Sequence, residues 1–454
     1  MQTNIVIVGA GIAGLVSALL LSEAEDAKVT IVEKNNTVGG LLKKFDYGVN
    51  GFFDYGAHNL LETNIDELDR LLFSLLGRDE WEILDGYKRE IAGAYFNQKI
   101  QKNSAYIDLR NMQNYPELLI DFLKDRETIE EFNLYDYFFN RYGKKITEVL
   151  RGVVENLYQD KLENLDTIAS LLAPLSRVIL FDKEIMHDLN FSDNLRAKLA
   201  YPEQRNLDLK LSSGRKALYP KNYGMYRIID ALVNRLEQSG VEILRNNYVT
   251  DISMKNKTIA EVILADGTVI GEVDKLIWSA GMGQLLPLLD IIPTRGFDYK
   301  KVDSVLLNLL VSNKLNMDDV YYLYGYNKDI PLFRVTAYYN YCSNTFRNGG
   351  YPVTIEILEY NNLENLEEKV IDGLRNMGLL SDSNSILFSR LEVLNGGFVH
   401  PSKKNSNFFT EIRTTIASKK INNLISIGVM SEKNLFFQTD ILVDLYQKIR
   451  VNNA

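Results

Sequence analysis

Residues 4–14 read NIVIVGAGIAG: a β-branched run, then glycines at 9, 11 and 14, then a stretch of Leu, Ala and Val to about Ala24. No other stretch limits the fold as strongly. Asn4–Val8 suits a buried parallel strand, and Ile12 onward suits a helix with Leu15, Ala18, Leu19 and Ser22 on its faces. KVTIVE, residues 28–33, supplies the next strand, which completes a βαβ opening. Each glycine has a separate task. Gly9 permits the tight turn, Gly11 lets a pyrophosphate approach the backbone, and Gly14 lets helix and strand pack closely. The helix N-terminus offers unpaired N–H groups and a partial positive charge to phosphates. Glu33 ends the second strand 19 residues after Gly14, where a carboxylate can accept hydrogen bonds from a ribose diol. The alternative is a tight strand-to-helix turn without ligand; strand, helix and acid together favour the dinucleotide.

Composition removes other classes. A net charge of −9 over 454 residues argues against broad nucleic-acid binding, which needs a basic surface. The one cysteine, Cys342, excludes a disulfide framework and a Cys-rich metal site. With histidines only at 58, 187 and 400, a His-based zinc site is not expected. No run of 18 apolar residues and no basic leader occurs, so the expectation is a cytoplasmic protein without a membrane span. The 26 tyrosines against 2 tryptophans fit either ligand contact or a coding bias toward Tyr, Asn, Lys and Ile.

Along the chain, residues from about 62 to 200 show helical spacing, as in LYDYFFNRYGKKITEVLRGVVENLY. Near 220 the pattern returns to helix, turn at Gly240 and strand, followed by a hairpin at Asp266–Gly267 and the buried strand DKLIWSAG. Residues 300–400 are strand-rich, interrupted by one helix at about 364–378. NLISIGV and a terminal helix close the chain. Chains of this length hold two domains or one with insertions.

Thr37-Val38-Gly39-Gly40 sharpens the choice of nucleotide, because the Gly-Gly pair follows Glu33 at a set interval. The segment resembles the FAD-binding N-terminus of the superfamily containing amine oxidases, protoporphyrinogen oxidase, phytoene desaturase and UDP-galactopyranose mutase. FDYGVNGFFDYGAHNL resembles the superfamily's strand end beside the flavin, with Asp54, Gly56, Ala57 and His58 matching. YPKNYGMYRIIDALVNRL resembles the glycine-led helix that re-enters the FAD domain, here at Gly224-Met225. ISIGVMSEKNLFFQTDILVDLYQKI resembles the C-terminal flavin motif, although Val429 and Met430 depart from its usual pattern. The resemblance implies an α/β fold: a Rossmann-type FAD-binding domain from discontinuous segments (1–62, 216–290 and 420–454). A helical insertion (63–215) and a strand-rich part (291–419) would form a second, α+β substrate domain. It also implies FAD contacts at Gly9, Gly11, Ala13, Gly14, Glu33, Lys34, Gly40, Leu41, His58, Val249, Gly428, Asp440 and Ile441. The helix opened by Thr439-Asp440-Ile441 would aim its N–H groups at the flavin pyrimidine edge.

The substrate side is read from PLFRVTAYYNYCS, which resembles a run in protoporphyrinogen-oxidase-like proteins. Arg334 stands between apolar residues on an expected strand and so needs an anionic partner. That partner is either Glu356 or Glu359, or a phosphate or carboxylate of the substrate. Tyr324, Tyr338 and Tyr339 are either cleft-lining or half-buried strand aromatics. His58 is either a structural histidine or a hydrogen-bond partner of flavin or substrate. The candidate catalytic residues are His58, Arg334 and Tyr324. No nucleophile elbow or Ser-His-Asp set is visible, and Cys342 is misplaced for covalent flavin attachment. The favoured expectation is an FAD-dependent oxidoreductase that oxidises a C–N or C–C bond of a small molecule by hydride transfer. The alternative is a non-redox nucleotide-sugar isomerase resembling UDP-galactopyranose mutase; a flavin-binding protein without activity ranks third.

Overall fold

The structure is a computed structural model. It describes every residue except 1, 25, 90, 190–191, 205–206, 208–213, 294–295, 297–298, 359–362 and 452–454. Glu359, one of the two expected partners of Arg334, lies outside the described residues.

The glycine turn sits in a five-stranded parallel sheet, in the order Glu242–Leu244, Ala27–Val32, Thr3–Val8, Lys275–Trp278, Leu424–Ser426. Strands far apart in sequence thus meet in one sheet. The central strand is buried on both faces, as its β-branched run dictates. Ile5 and Ile7 share a core with Leu15, Leu19, Ile228, Leu232, Leu442 and Leu445, from helices Ile12–Ala24, Tyr226–Gln238 and Gln438–Val451. Val6 and Val8 share another with Ile252, Ile259 and Val262 of an antiparallel meander, Val249–Lys255, Thr258–Leu264 and Val269–Gly271. Fully burying one such Leu or Ile side chain contributes roughly 1.5–3 kcal/mol. The meander's last connection holds the expected Asp266–Gly267 turn, with Gly267 at φ 87°.

The second sheet has seven strands, in the order Ile386–Val399, Lys301–Val311, Tyr351–Leu358, Arg334–Ala337, Tyr322–Gly325, Ala92–Phe96, Lys99–Gln101. Its last two strands come from within the stretch read as helical. They escape the reading because AGAYFNQKI carries few β-branched residues. Their hairpin also turns on Asn97–Gln98, both at positive φ, rather than on Asn-Gly. The rest of that stretch is largely helical, with Leu134–Tyr142 and Lys144–Tyr158 burying Phe138, Tyr142, Leu150 and Val154. The expected interrupting helix is present as Leu366–Asn376.

The pleat sorts the second sheet's side chains. Leu323, Val335, Ile355, Leu307 and Leu309 lie on one face, in an apolar core with Leu366, Val370 and Leu374. The alternate positions form two cross-sheet rows: Tyr324, Arg334, Glu356, Leu306, Glu392 and Tyr322, Thr336, Thr354, Asn308, Arg390. That face is polar yet largely enclosed, since Thr336, Thr354 and Asn308 are fully buried. Among the described residues no helix is long and apolar enough to cross a membrane.

Candidate functional site

At the carboxyl edge of the parallel sheet the ladder continues past the strands. Gly9 N donates to Val32 O, Ser279 N to Val8 O, Ile427 N to Trp278 O and Glu33 N to Leu244 O, all at 2.8–2.9 Å. Gly9, Ser279, Gly428 and Glu33 are thereby gathered at one rim, where open α/β sheets bind ligands. Gly9 and Gly428 both have positive φ, 101° and 99°. Ser279 Oγ donates toward the Val8 and Gly9 carbonyls.

The three glycines differ in what surrounds them. A Cβ on Gly14 would overlap the Gly9 carbonyl oxygen, so this glycine is required by packing. A Cβ on Gly11 would meet no atom within 4 Å. The space beside Gly11, at the start of helix Ile12–Ala24, is therefore open to a phosphate. Gly39 N donates to Ala10 O at 2.7 Å, and Gly40, at φ 58°, comes close to the Gly11 Cα. The Gly-Gly pair thus forms the facing wall of the same cradle, with Leu41 exposed beside it. Ala13 lies in the first turn of the helix. Glu33 Oε2 accepts the Ala10 N–H at 2.8 Å, and its Oε1 accepts two N–H groups of Asn35. Asn247 N donates to Glu33 O, which brings the start of Val249–Lys255 to this end. There Lys34 Nζ lies over the exposed Tyr248 ring at 5.8 Å, and Val249 is buried below. Asp440 is exposed in the first turn of the last helix and Ile441 is buried. The cradle, the dipole and the carboxylate are the donor and acceptor set that a dinucleotide's pyrophosphate and ribose need.

A second cluster surrounds residues 54–59. Asp54 is buried; its carboxylate accepts from Tyr219 OH at 2.6 Å and from the Met225 N–H at 3.0 Å, at the start of the glycine-led helix. Burial pushes its pKa up to about 6, against the lowering effect of Tyr219, Met225 and Arg347. Arg347 lies 4.0 Å over the Tyr223 ring and 4.5 Å over Phe52, and bonds the Phe52 carbonyl. His58 Nε2 is 3.1 Å from the Tyr55 carbonyl, and desolvation lowers its pKa.

The structure pairs Arg334 with Glu356: one guanidinium nitrogen reaches both carboxylate oxygens, at 2.8 and 2.7 Å. Burial opposes the Arg334 charge, and Glu356 together with the neighbouring Tyr324 and Tyr322 more than offsets this, so its pKa lies above the ordinary arginine value. The Tyr322, Tyr324 and Phe333 rings surround it at 5.6–5.8 Å. Arg334 and His58 are brought together, because Glu356 also accepts the Ala57 N–H at 2.8 Å. Tyr324 sits on the same sheet face, paired with Arg334 in register. Tyr338 is buried and bonds Gly56 O and Thr354. Tyr339 is directed elsewhere and accepts the Leu315 N–H.

Sequence reasoning missed the polar ladder on this face. Thr354 donates to Asn308 at 2.9 Å, Asn308 to Tyr47 at 3.1 Å, and Tyr47 to Glu392 at 3.2 Å. The signal was a single Asn inside the apolar strand SVLLNLLV, and Thr and Glu at alternate positions of VTIEI.

Comparison with known proteins agrees with this architecture. Residues 7–73 match the NAD(P)-binding Rossmann-like domain. No curated protein matches the sequence significantly. Among solved structures, reduced UDP-galactopyranose mutase superposes with a TM-score of 0.77 at 17% identity, covering 100% of this chain and 96% of that one. A protein of Exiguobacterium sp. 255-15 named as a candidate protoporphyrinogen oxidase gives 0.68 at 13% identity, over 100% and 99% of the two chains. A fatty acid isomerase of P. acnes that produces CLA gives 0.59 at 14%, over 99% and 98%. The likeness establishes the fold: a Rossmann-like dinucleotide domain within a chain built along its whole length like UDP-galactopyranose mutase and the protoporphyrinogen-oxidase-like proteins.

Proposed function

We propose that this chain is an FAD-dependent enzyme, with FAD along the carboxyl edge of the parallel sheet and a small-molecule substrate over the polar face of the second. In this reading residues 1–62, 216–290 and 420–454 form the FAD unit, and 63–215 and 291–419 the substrate unit. The observation that carries the cofactor is the open space at Gly11, framed by a helix N-terminus, Gly40 and Glu33. In this reading the Gly9–Gly14 turn holds the pyrophosphate and Glu33 the ribose diol. Lys34 and Val249 border the adenine side, Gly428 lies by the pyrophosphate, and the amides around Asp440 and Ile441 face the flavin end. Bound flavin supplies a hydride acceptor when oxidised and a nucleophile when reduced.

Between the two reactions, the substrate face favours a polar ligand. Arg334, Glu356, Arg390 and Glu392 on one sheet face suit a hydroxyl-rich, anionic molecule better than an apolar one. The non-redox isomerisation of a nucleotide sugar is therefore the leading reading, supported by the full-length likeness to reduced UDP-galactopyranose mutase. Arg334 would meet the diphosphate, and His58 and Tyr324 would orient the sugar. The oxidoreductase reading is supported by the likeness to the Exiguobacterium protein.

Purified protein should be yellow, and it should convert a UDP-sugar only after dithionite reduction. Oxygen or dye consumption with an amine or hydrocarbon substrate, and no sugar turnover, would select the oxidoreductase. Colourless protein that takes up no added FAD would remove both.

A further inference from the structure

Glu356 does more than neutralise Arg334. Its side chain is 11% exposed. One oxygen, Oε1, receives both Arg334 Nη2 and the Ala57 N–H, each at 2.8 Å. The carboxylate also lies against Gly56, where a Cβ would come within 2.9 Å of Oε1. On the opposite side of the same peptide, Tyr338 OH meets the Gly56 carbonyl at 3.3 Å. The backbone at 56–57 is thus gripped through an N–H by one strand and through a C=O by the turn after another.

The consequence falls on His58. Its Nε2 faces the Tyr55 carbonyl. A carbonyl only accepts, so Nε2 carries the proton, and in the neutral ring Nδ1 is left as a lone pair. The charged groups facing the ring are Glu356 and Arg334, from neighbouring strands, acting in opposite directions. Desolvation outweighs both and keeps the ring neutral.

We propose that Glu356 is a positioning residue: by taking the Ala57 amide and the Arg334 guanidinium on one carboxylate, it fixes the Tyr55–His58 segment so that His58 presents Nδ1 to the ligand as an acceptor. This rests on the reading of residues 55–58 as the ligand-facing edge. Under it, His58 receives a hydrogen bond from the flavin or a substrate hydroxyl and does not donate one.

The chain's three histidines make the test direct. The full-length protein as purified, ring-labelled at histidine, should give three imidazole signals, assigned with His187→Gln and His58→Gln variants. His58 should show the Nε2–H tautomer and stay neutral at pH 7. Arg334→Met leaves Glu356 unopposed and should raise the His58 midpoint by about one pH unit. The double variant Arg334→Met/Glu356→Gln should bring it back. Glu356→Gln keeps an acceptor for the Ala57 amide and should keep the tautomer, whereas Glu356→Ala should mix the two tautomers. If Glu356→Ala does not fold, the Arg334→Met shift and its reversal decide. An Nδ1–H tautomer in the unaltered protein overturns the proposal, as does an unmoved His58 in the folded Glu356→Ala or Arg334→Met variants. The FAD reading is judged separately by whether the protein retains yellow colour. Colourless protein with the expected His58 behaviour would sink the function and keep the clamp; yellow protein with an unresponsive His58 would do the reverse.

Discussion

Glu33 and Ala10 are joined across the glycine turn: Glu33 Oε2 accepts the Ala10 N–H at 2.8 Å while Oε1 holds Asn35. The carboxylate therefore fixes the turn, and under the proposed function it also meets the FAD ribose. Glu33→Ala leaves the Ala10 N–H unpaired and removes a charge-assisted bond to the sugar. Such a bond is worth about 1.5–3 kcal/mol, so FAD affinity should fall roughly ten- to a hundredfold. Quenching of FAD fluorescence on titrating apoprotein measures this. Unchanged affinity would remove Glu33 from the cofactor site.

Gly11 and Gly14 should fail in different ways. Gly14→Ala places a methyl group on the Gly9 carbonyl oxygen, and the turn cannot hold it, so soluble folded protein should be lost or its urea midpoint sharply lowered. Gly11→Val puts its side chain into open space. That variant should fold with a near-normal midpoint and retain no FAD. A yellow Gly11→Val protein would mean that the phosphates lie elsewhere.

The contrast also shows what the sequence displays and what it hides. The strand Asn4–Val8, the turn, the opening helix and Glu33 are local and contiguous, and the structure places them as read. Arg334 was seen to need an anion because it stands among apolar residues, and one of its two expected partners, Glu356, is 22 residues away on the next strand. The polar face itself was hidden. Asn308 opposite Thr354 and Arg390, and Tyr47 reaching Glu392 from 345 residues away, depend on strand register, which short-range patterns do not carry. The strands Ala92–Phe96 and Lys99–Gln101 were hidden for another reason: small and unbranched residues gave no period-two signal, and burial against Tyr322–Gly325 decided their state.

Arg347 ties the turn before Tyr351–Leu358 to the segment that leads into residues 54–58. Its guanidinium is stacked on Tyr223 and Phe52 and bonds the Phe52 carbonyl. Lysine keeps the charge but has neither the planar face nor the fork of donors. Arg347→Lys should cost about 1–2 kcal/mol of unfolding free energy, read from urea denaturation of FAD-free protein. A midpoint equal to the unaltered protein's would show that the stacking contributes nothing.

Asp54 should make stability fall as pH rises. Its carboxyl is held at about 6 in the folded chain, against 3.8 for the exposed group, chiefly because burial disfavours the charged form. The folded state therefore binds this proton more tightly than the unfolded state does. The associated stabilisation is fully present below about pH 4, fades as pH climbs toward 6, and is absent above. The difference of about two pKa units corresponds to roughly 3 kcal/mol. Asp54→Asn preserves an acceptor for the Met225 N–H and carries no charge. The Tyr219 hydroxyl can turn to accept from the new amide, at the expense of its own donated bond. The variant should therefore match or exceed the unaltered protein at pH 7.5 and lose that advantage at pH 4. Urea midpoints for both proteins at the two pH values decide it; a difference that does not change with pH would show that Asp54 does not titrate between them.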